Sequence, residues 1–152
     1  MKDLKTIASY ICCRYFREYG EKIDEMKLHK LMYFAQRESL IQTDTPLFSG
    51  EFQGWRFGPV LPELRVMYQK DDFADVTDEA LGTDKSILDV VFSEYAGKDS
   101  FSLSRLTHGE LSWKRSRKGI PPAANSFNTM PLDDIRLDAD RMKKLRAILD
   151  NL

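Results

Sequence analysis

The stretch from Lys27 to Gln36, Lys-Leu-His-Lys-Leu-Met-Tyr-Phe-Ala-Gln, constrains the fold more than any other part of the chain. Leu28, Leu31, Met32 and Ala35 recur at the spacing of one helical face. Tyr33 and Phe34 widen that face until most of the circumference is apolar. A helix of this kind cannot lie on a surface and belongs in the centre of a bundle. Asp24 is its expected N-cap, and it is expected to run to about Gln42.

The other segments are suited to surround such a helix. Asp3 is the expected cap of a first helix carrying Leu4, Ile7, Ala8, Ile11, Cys12, Tyr15 and Tyr19, stopped by Gly20. Glu51 to Phe57 is the one extended segment expected, with Gly54 weakening it. Gly58-Pro59 is expected to be a turn and a helix start in one, leading to Val60, Leu61, Leu64, Met67 and Tyr68. Lys70 to Asp84 is acidic and aperiodic, a solvated loop or ragged helix. Asp84 then caps a helix with Ile87, Leu88, Val91 and Tyr95, and Ser102 a short one with Leu103 and Leu106. A further turn holds Leu111 and Trp113, and Gly119 opens an irregular stretch to about Leu137. Asp138 is expected to cap a last helix with Met142, Leu145, Ile148 and Leu149 on one face. The fold class is therefore mainly α: a compact helical bundle of about six helices, with at most a short extended segment near residues 51–57. At 152 residues, without an internal repeat or a linker, one domain over 1–152 is expected.

Composition excludes several classes. With 42% hydrophobic and 31% charged residues the chain is not a disordered one. A formal charge of −1 argues against a dedicated nucleic-acid binder, whose affinity comes from neutralising phosphates. The two cysteines, Cys12 and Cys13, are adjacent and form neither a disulfide framework nor a zinc site; Cys12 is expected to fill core space. No signal-like segment or membrane span is apparent, so the cytoplasm is the expected compartment.

Three blocks in order carry a family resemblance. They are Lys27 to Gln36, then Trp55-Arg56-Phe57-Gly58-Pro59-Val60-Leu61-Pro62-Glu63-Leu64, then Leu106-Thr107-His108-Gly109-Glu110-Leu111-Ser112-Trp113. Together the chain resembles the Panacea domain, the SocA-like antitoxin family also described as phage-associated proteins. His29 stands where that family usually has Gln, Phe57 where it has Tyr, and Ser112 where Pro often precedes the tryptophan. The resemblance implies an antitoxin that neutralises a cognate protein toxin, encoded by the adjacent gene, through a protein–protein complex. It also implies one alternative, an adaptor delivering the toxin to a cytoplasmic protease. A DNA-binding regulator is a further, weaker alternative, since the helix carrying Lys27, Lys30 and Arg37 is too apolar to lie in a groove.

The motif residues Lys27, Leu28, Lys30, Leu31, Tyr33, Phe34, Trp55, Gly58, Pro59, Val60, Pro62, Thr107, His108, Glu110 and Trp113 are expected to be scaffold. His108 and Glu110 form an H-x-E, but the P-C-x-x-C that a zinc deaminase needs is missing. His108 is instead expected at a helix end, with Thr107 and Glu110 as local hydrogen-bonding partners. No nucleophile motif or phosphate loop occurs, so neither enzyme, metal nor cofactor is expected. A motif shared by antitoxins of unrelated toxins cannot by itself distinguish those toxins. Toxin-binding residues are therefore expected outside the blocks, in the acidic Asp71, Asp72 and Asp75 and the basic Lys114, Arg115, Arg117 and Lys118.

Overall fold

A computed structural model describes residues 1–152. Helix α1 (Leu4–Tyr19) starts at Asp3, whose carboxylate accepts the Thr6 N–H at 2.7 Å. It ends at Gly20, in the left-handed region at φ 73°. Helix α2 (Glu25–Thr43) starts at Asp24, which accepts from the Lys27 N–H. Every residue from Lys27 to Leu40 is buried, because α2 packs on α1, α3, α5, α6, α8 and the sheet. The central helix expected from the apolar stretch is thus in place, and the fold is mainly α.

The extended part is larger than expected. Strands β1 (Phe52–Trp55) and β2 (Gly58–Val60) form a hairpin around a two-residue turn, Arg56-Phe57, with Gly54 opposite Pro59. A third strand, β3 (Thr129–Met130), adds to the free side of β1, giving the order β2-β1-β3. Gly58-Pro59 therefore does not start a helix. Proline lacks an N–H but is tolerated on an edge strand, and β2 is an edge. Pro62 is instead the first residue of α3 (Pro62–Lys70).

Helix α4 (Asp78–Leu81) and a single 3-10 turn at Gly82–Asp84 lead into α5 (Lys85–Val91), which continues as one π-helical turn, Phe92–Ala96. Asp84 is helical and caps nothing with its side chain; it pairs with Lys2 at 2.6 Å. Helix α6 (Ser100–His108) is capped by Asp99, not Ser102: the Asp99 carboxylate accepts from both the N–H and the hydroxyl of Ser102. Helices α7 (Leu111–Ser116) and α8 (Leu132–Asp150) complete the chain.

One more expectation, the Asp138 cap, is corrected at the C-terminal side. Helix α8 begins six residues before Asp138, and Asp138 caps a different helix. Its carboxyl accepts the N–H groups of Leu111 at 2.7 Å and Ser112 at 3.0 Å, so it caps α7 across the helix–helix contact. Leu145, Ile148 and Leu149 are not core; they are 47%, 62% and 56% exposed. Leu106 is likewise on the surface. Amphipathic spacing tells which residues share a face but not whether the neighbouring elements reach far enough to cover it.

No helix is long and apolar enough to cross a membrane. Replacing Asp138 with alanine strands two helix-end N–H groups, those of Leu111 and the buried Ser112. We expect D138A to lose about 3 kcal/mol in urea unfolding, a lost cap plus an unpaired buried group. D138N should recover part of that, and a surface change such as D133A almost nothing.

Candidate functional site

The three motif blocks lie far apart in sequence and meet along one face of α2. On one side of the junction, the Tyr33 hydroxyl is 2.9 Å from Glu110 Oε2, 3.0 Å from Asp138 Oδ2 and 3.2 Å from Ser112 Oγ. One helical turn on, Arg37 donates to Glu110 Oε1 at 2.6 Å and to the Tyr95 hydroxyl. Its guanidinium sits against the Phe34 ring, which stacks on Tyr95 with centroids 3.9 Å apart. Burial raises the Glu110 pKa above the usual carboxylate range, against the pull of Arg37. Burial likewise holds the Tyr33 phenol well above its ordinary value.

On the other side, the hairpin closes over Lys30. The Lys30 ammonium is 1% exposed, donates only a long 3.5 Å hydrogen bond to the Pro59 carbonyl, and forms no ion pair. Burial pulls its pKa down to about 8. Gly58 has φ 122°, and a Cβ there would lie 2.6 Å from Thr107 Oγ1 and 2.7 Å from Lys30 Cε. This one glycine of the hairpin therefore permits the contact of all three blocks, since a side chain there would force them apart. The neighbouring His29 accepts the Leu61 N–H on Nδ1 at 3.1 Å, so its proton is on Nε2, which faces Glu25 at 3.1 Å. Burial keeps the His29 pKa below its ordinary value. The open role of His29 is thus to hold α2 to the start of α3.

Trp113 Nε1 donates to the Trp55 carbonyl at 2.8 Å, and the His108 ring stacks on Trp113 at 4.1 Å. His108 ends α6 as expected, but its Nε2 is buried without a partner and it bonds neither Thr107 nor Glu110. Thr107 donates to the Ser104 carbonyl instead, and Glu110 turns to Tyr33 and Arg37. The H-x-E pair therefore diverges, and no group of three His, Cys, Asp or Glu side chains could hold a metal.

Against this side of the junction lies a pocket of about 520 Å³, lined by Glu25, Met26, His29, Lys30, Trp55, Phe57, Gly58 and Arg65 among others. Leu31 and Phe34 are core, as expected, whereas Trp55 and Trp113 are half-buried. Phe57 sits 48% exposed at the hairpin turn. Cys12 is half-buried against the core, and burial pushes its thiol up to about 12.

The family model for the SocA-like antitoxins, Panacea domain, matches residues 28–114, more than half of the chain and all three blocks nearly end to end. The chain belongs to that family. A curated relative, antitoxin SocA of Caulobacter vibrioides (strain NA1000 / CB15N), is 45% identical over 40 residues, 26% of this chain and 21% of the relative. The match thus spans about a fifth of that protein. No solved structure matches.

The two charged clusters singled out in the sequence lie on different elements. Asp71 and Asp72 pair with Lys22 and Lys5 beside α1, and Asp75 is exposed. In the basic cluster, Lys114 and Lys118 are exposed and Arg115 pairs with Asp134 of α8. Arg117 is buried, because its guanidinium donates to the carbonyls of Gly54, Pro121 and Ala124 and lies over Trp113. It pins the sheet to the loop after α7. Arg37, Asp138 and Arg117 are the structural residues that sequence reasoning missed. For Asp138 a signal existed: it interrupts the Ile135–Asp138–Met142 stripe, and a carboxyl on a buried face requires donors.

Lys30 gives a pH test of this geometry. Between about pH 8 and the ordinary value of 10.5, the unfolded chain holds a proton that the folded chain has released. Stability contributed through Lys30 therefore rises with pH across that window and is flat below it. We expect K30M to be more stable than wild type at pH 7, with the gap closing toward pH 10.5, as read by thermal melts at several pH values. A gap independent of pH would place the ammonium in water.

Proposed function

We propose that this chain is an antitoxin that neutralises a cognate protein toxin by holding it in a direct complex. Membership in the family supports the antitoxin role. The observation that carries the binding mode is the inward orientation of the motif. Lys30, Tyr33, Arg37, Glu110 and Asp138 are turned onto one another or onto backbone groups. The motif therefore assembles a scaffold, and what the scaffold offers to the outside is surface. We propose on the same grounds that the chain catalyses no reaction and that residues 1–152 act as one domain.

A DNA-regulating role finds less support. The basic residues of α2 that would enter a groove, Lys27, Lys30 and Arg37, are all buried under other elements. The adaptor reading differs from direct neutralisation in needing a protease, so cells lacking the candidate protease separate the two.

The test is co-expression with the product of the neighbouring open reading frame, in wild-type and protease-deficient hosts. The expected result is growth rescue in both and co-purification of the two proteins. Loss of rescue in the protease-deficient host would favour the adaptor. Absence of both rescue and complex would refute the proposal. Charges at the rim of an interface set encounter rate and partner choice more than affinity. Charge reversal at Asp71 and Asp75, or at Lys114 and Lys118, should leave the melt unchanged and weaken binding more at low salt than at high salt. R117A should instead cost about 2–3 kcal/mol of stability through its stranded carbonyls.

A further inference from the structure

An unpartnered apolar surface lies on α8, outside residues 28–114. Arg141, Lys144, Leu145 and Ile148 recur at the i, i+3, i+4, i+7 spacing of one helix face. The same four side chains line a groove of about 400 Å³ between α8 and the turn joining α6 to α7. Gly109 and Glu110 form the opposite wall, and Arg37, Asp138 and Met142 contribute to the lining. Leu145 and Ile148 are exposed, and neither Arg141 nor Lys144 has an ion-pair partner. The fold holds this half of α8 in place through the Arg146–Glu38 pair, whose two hydrogen bonds are 3.0 and 2.8 Å. The groove is therefore presented on a fixed helix.

The charge of the groove selects its occupant. The cations Arg141 and Lys144 border the apolar stripe, and neither is paired with the two carboxylates that also line the groove, Glu110 and Asp138. Glu110 and Asp138 are already engaged by Arg37, Tyr33 and the α7 backbone. Arg37 Nε, buried at the groove, is a donor with no acceptor. Every uncompensated polar group of the groove is thus a donor or a cation.

We propose that this groove is the toxin-docking site, and that it receives an amphipathic segment of the toxin whose apolar residues cover Leu145 and Ile148 and whose acidic residues face Arg141 and Lys144. The inference rests on the antitoxin reading and names the surface and the partner chemistry that reading leaves open. A lipid surface is a poorer match, because the stripe lies in a concave groove walled by the Gly109–Glu110 turn rather than on a free face. A second copy of this chain is also a poorer match. Its own acidic–apolar segment is spoken for: Asp71 and Asp72 are paired, and Phe73 and Val76 pack against the core.

The experiment measures binding and growth rescue with the product of the neighbouring reading frame, using I148D, the double variant R141E/K144E, and K98E as a surface control. Circular dichroism melts establish that each variant folds; all the changes are at exposed positions. The expected result is unchanged melting, affinity lowered about tenfold or more by I148D, the cost of a charge placed at the centre of an interface. R141E/K144E should lose affinity mainly at low salt, and K98E should match wild type. If wild type binds and rescues while all variants do the same, the antitoxin reading stands and the groove is not the docking site. If wild type itself neither binds nor rescues, the antitoxin reading fails and takes this partner with it. Light scattering and flotation with anionic vesicles close the remaining cases. A dimer, or vesicle binding, that is lost in I148D would give the groove to a second copy or to lipid and overturn the assignment.

Discussion

Around the Tyr33 hydroxyl, two carboxyls and a guanidinium leave water together. Each would be expensive to bury alone; the arrangement is tolerable only because each answers another. Arg37 reaches Glu110, Tyr33 bridges Glu110 and Asp138, and Asp138 receives the two free N–H groups of α7. Helices α2, α7 and α8 therefore cannot slide past one another without stranding a charge. Apolar packing supplies the bulk of the driving force, but it is non-directional. This set of directional contacts fixes the register in which the helices pack.

The same logic, with different groups, holds the hairpin. Lys30 lies under β2, Gly58 gives it room, and the Leu61 N–H closes on His29. A lysine with one long hydrogen bond is a destabilising element, and its depressed pKa records that cost. The family motif thus describes how three distant segments are fastened to one central helix. That explains why its residues are polar yet buried, and why they need not touch a partner. On the reading proposed above, recognition falls to surfaces on α8 and in the loops.

Much of the fold was legible because it is local. Asp3, Gly20 and Asp24 act on backbone groups within a few residues, and the apolar belt of α2 has one physical outcome. The failures share a different cause. Asp138 sits in a sequence context suited to a helix cap, but the helix it caps is 27 residues away from it in sequence at Leu111. Gly58-Pro59 carries local helix-start chemistry, overridden by strand pairing with Gly54 and Trp55. Arg117 stands in a run of cations, which suggests solvent, yet three backbone carbonyls converge on it. Leu145 and Ile148 have the spacing of a buried face, and sequence periodicity cannot tell a core from an interface awaiting its partner. At the junction, the sequence singled out the residues but not the depressed lysine or the shared tyrosine.

The central claim is a division of labour: the motif blocks build the domain, and the groove along α8 meets the toxin. Amide hydrogen exchange on the chain, free and bound to the product of the neighbouring reading frame, measures that division in one experiment. The account predicts new protection along residues 141–152 and the Gly109–Glu110 turn, with the Trp55–Val60 hairpin unchanged. Protection at the hairpin with α8 unaffected would contradict it, and would make the motif itself the recognition surface.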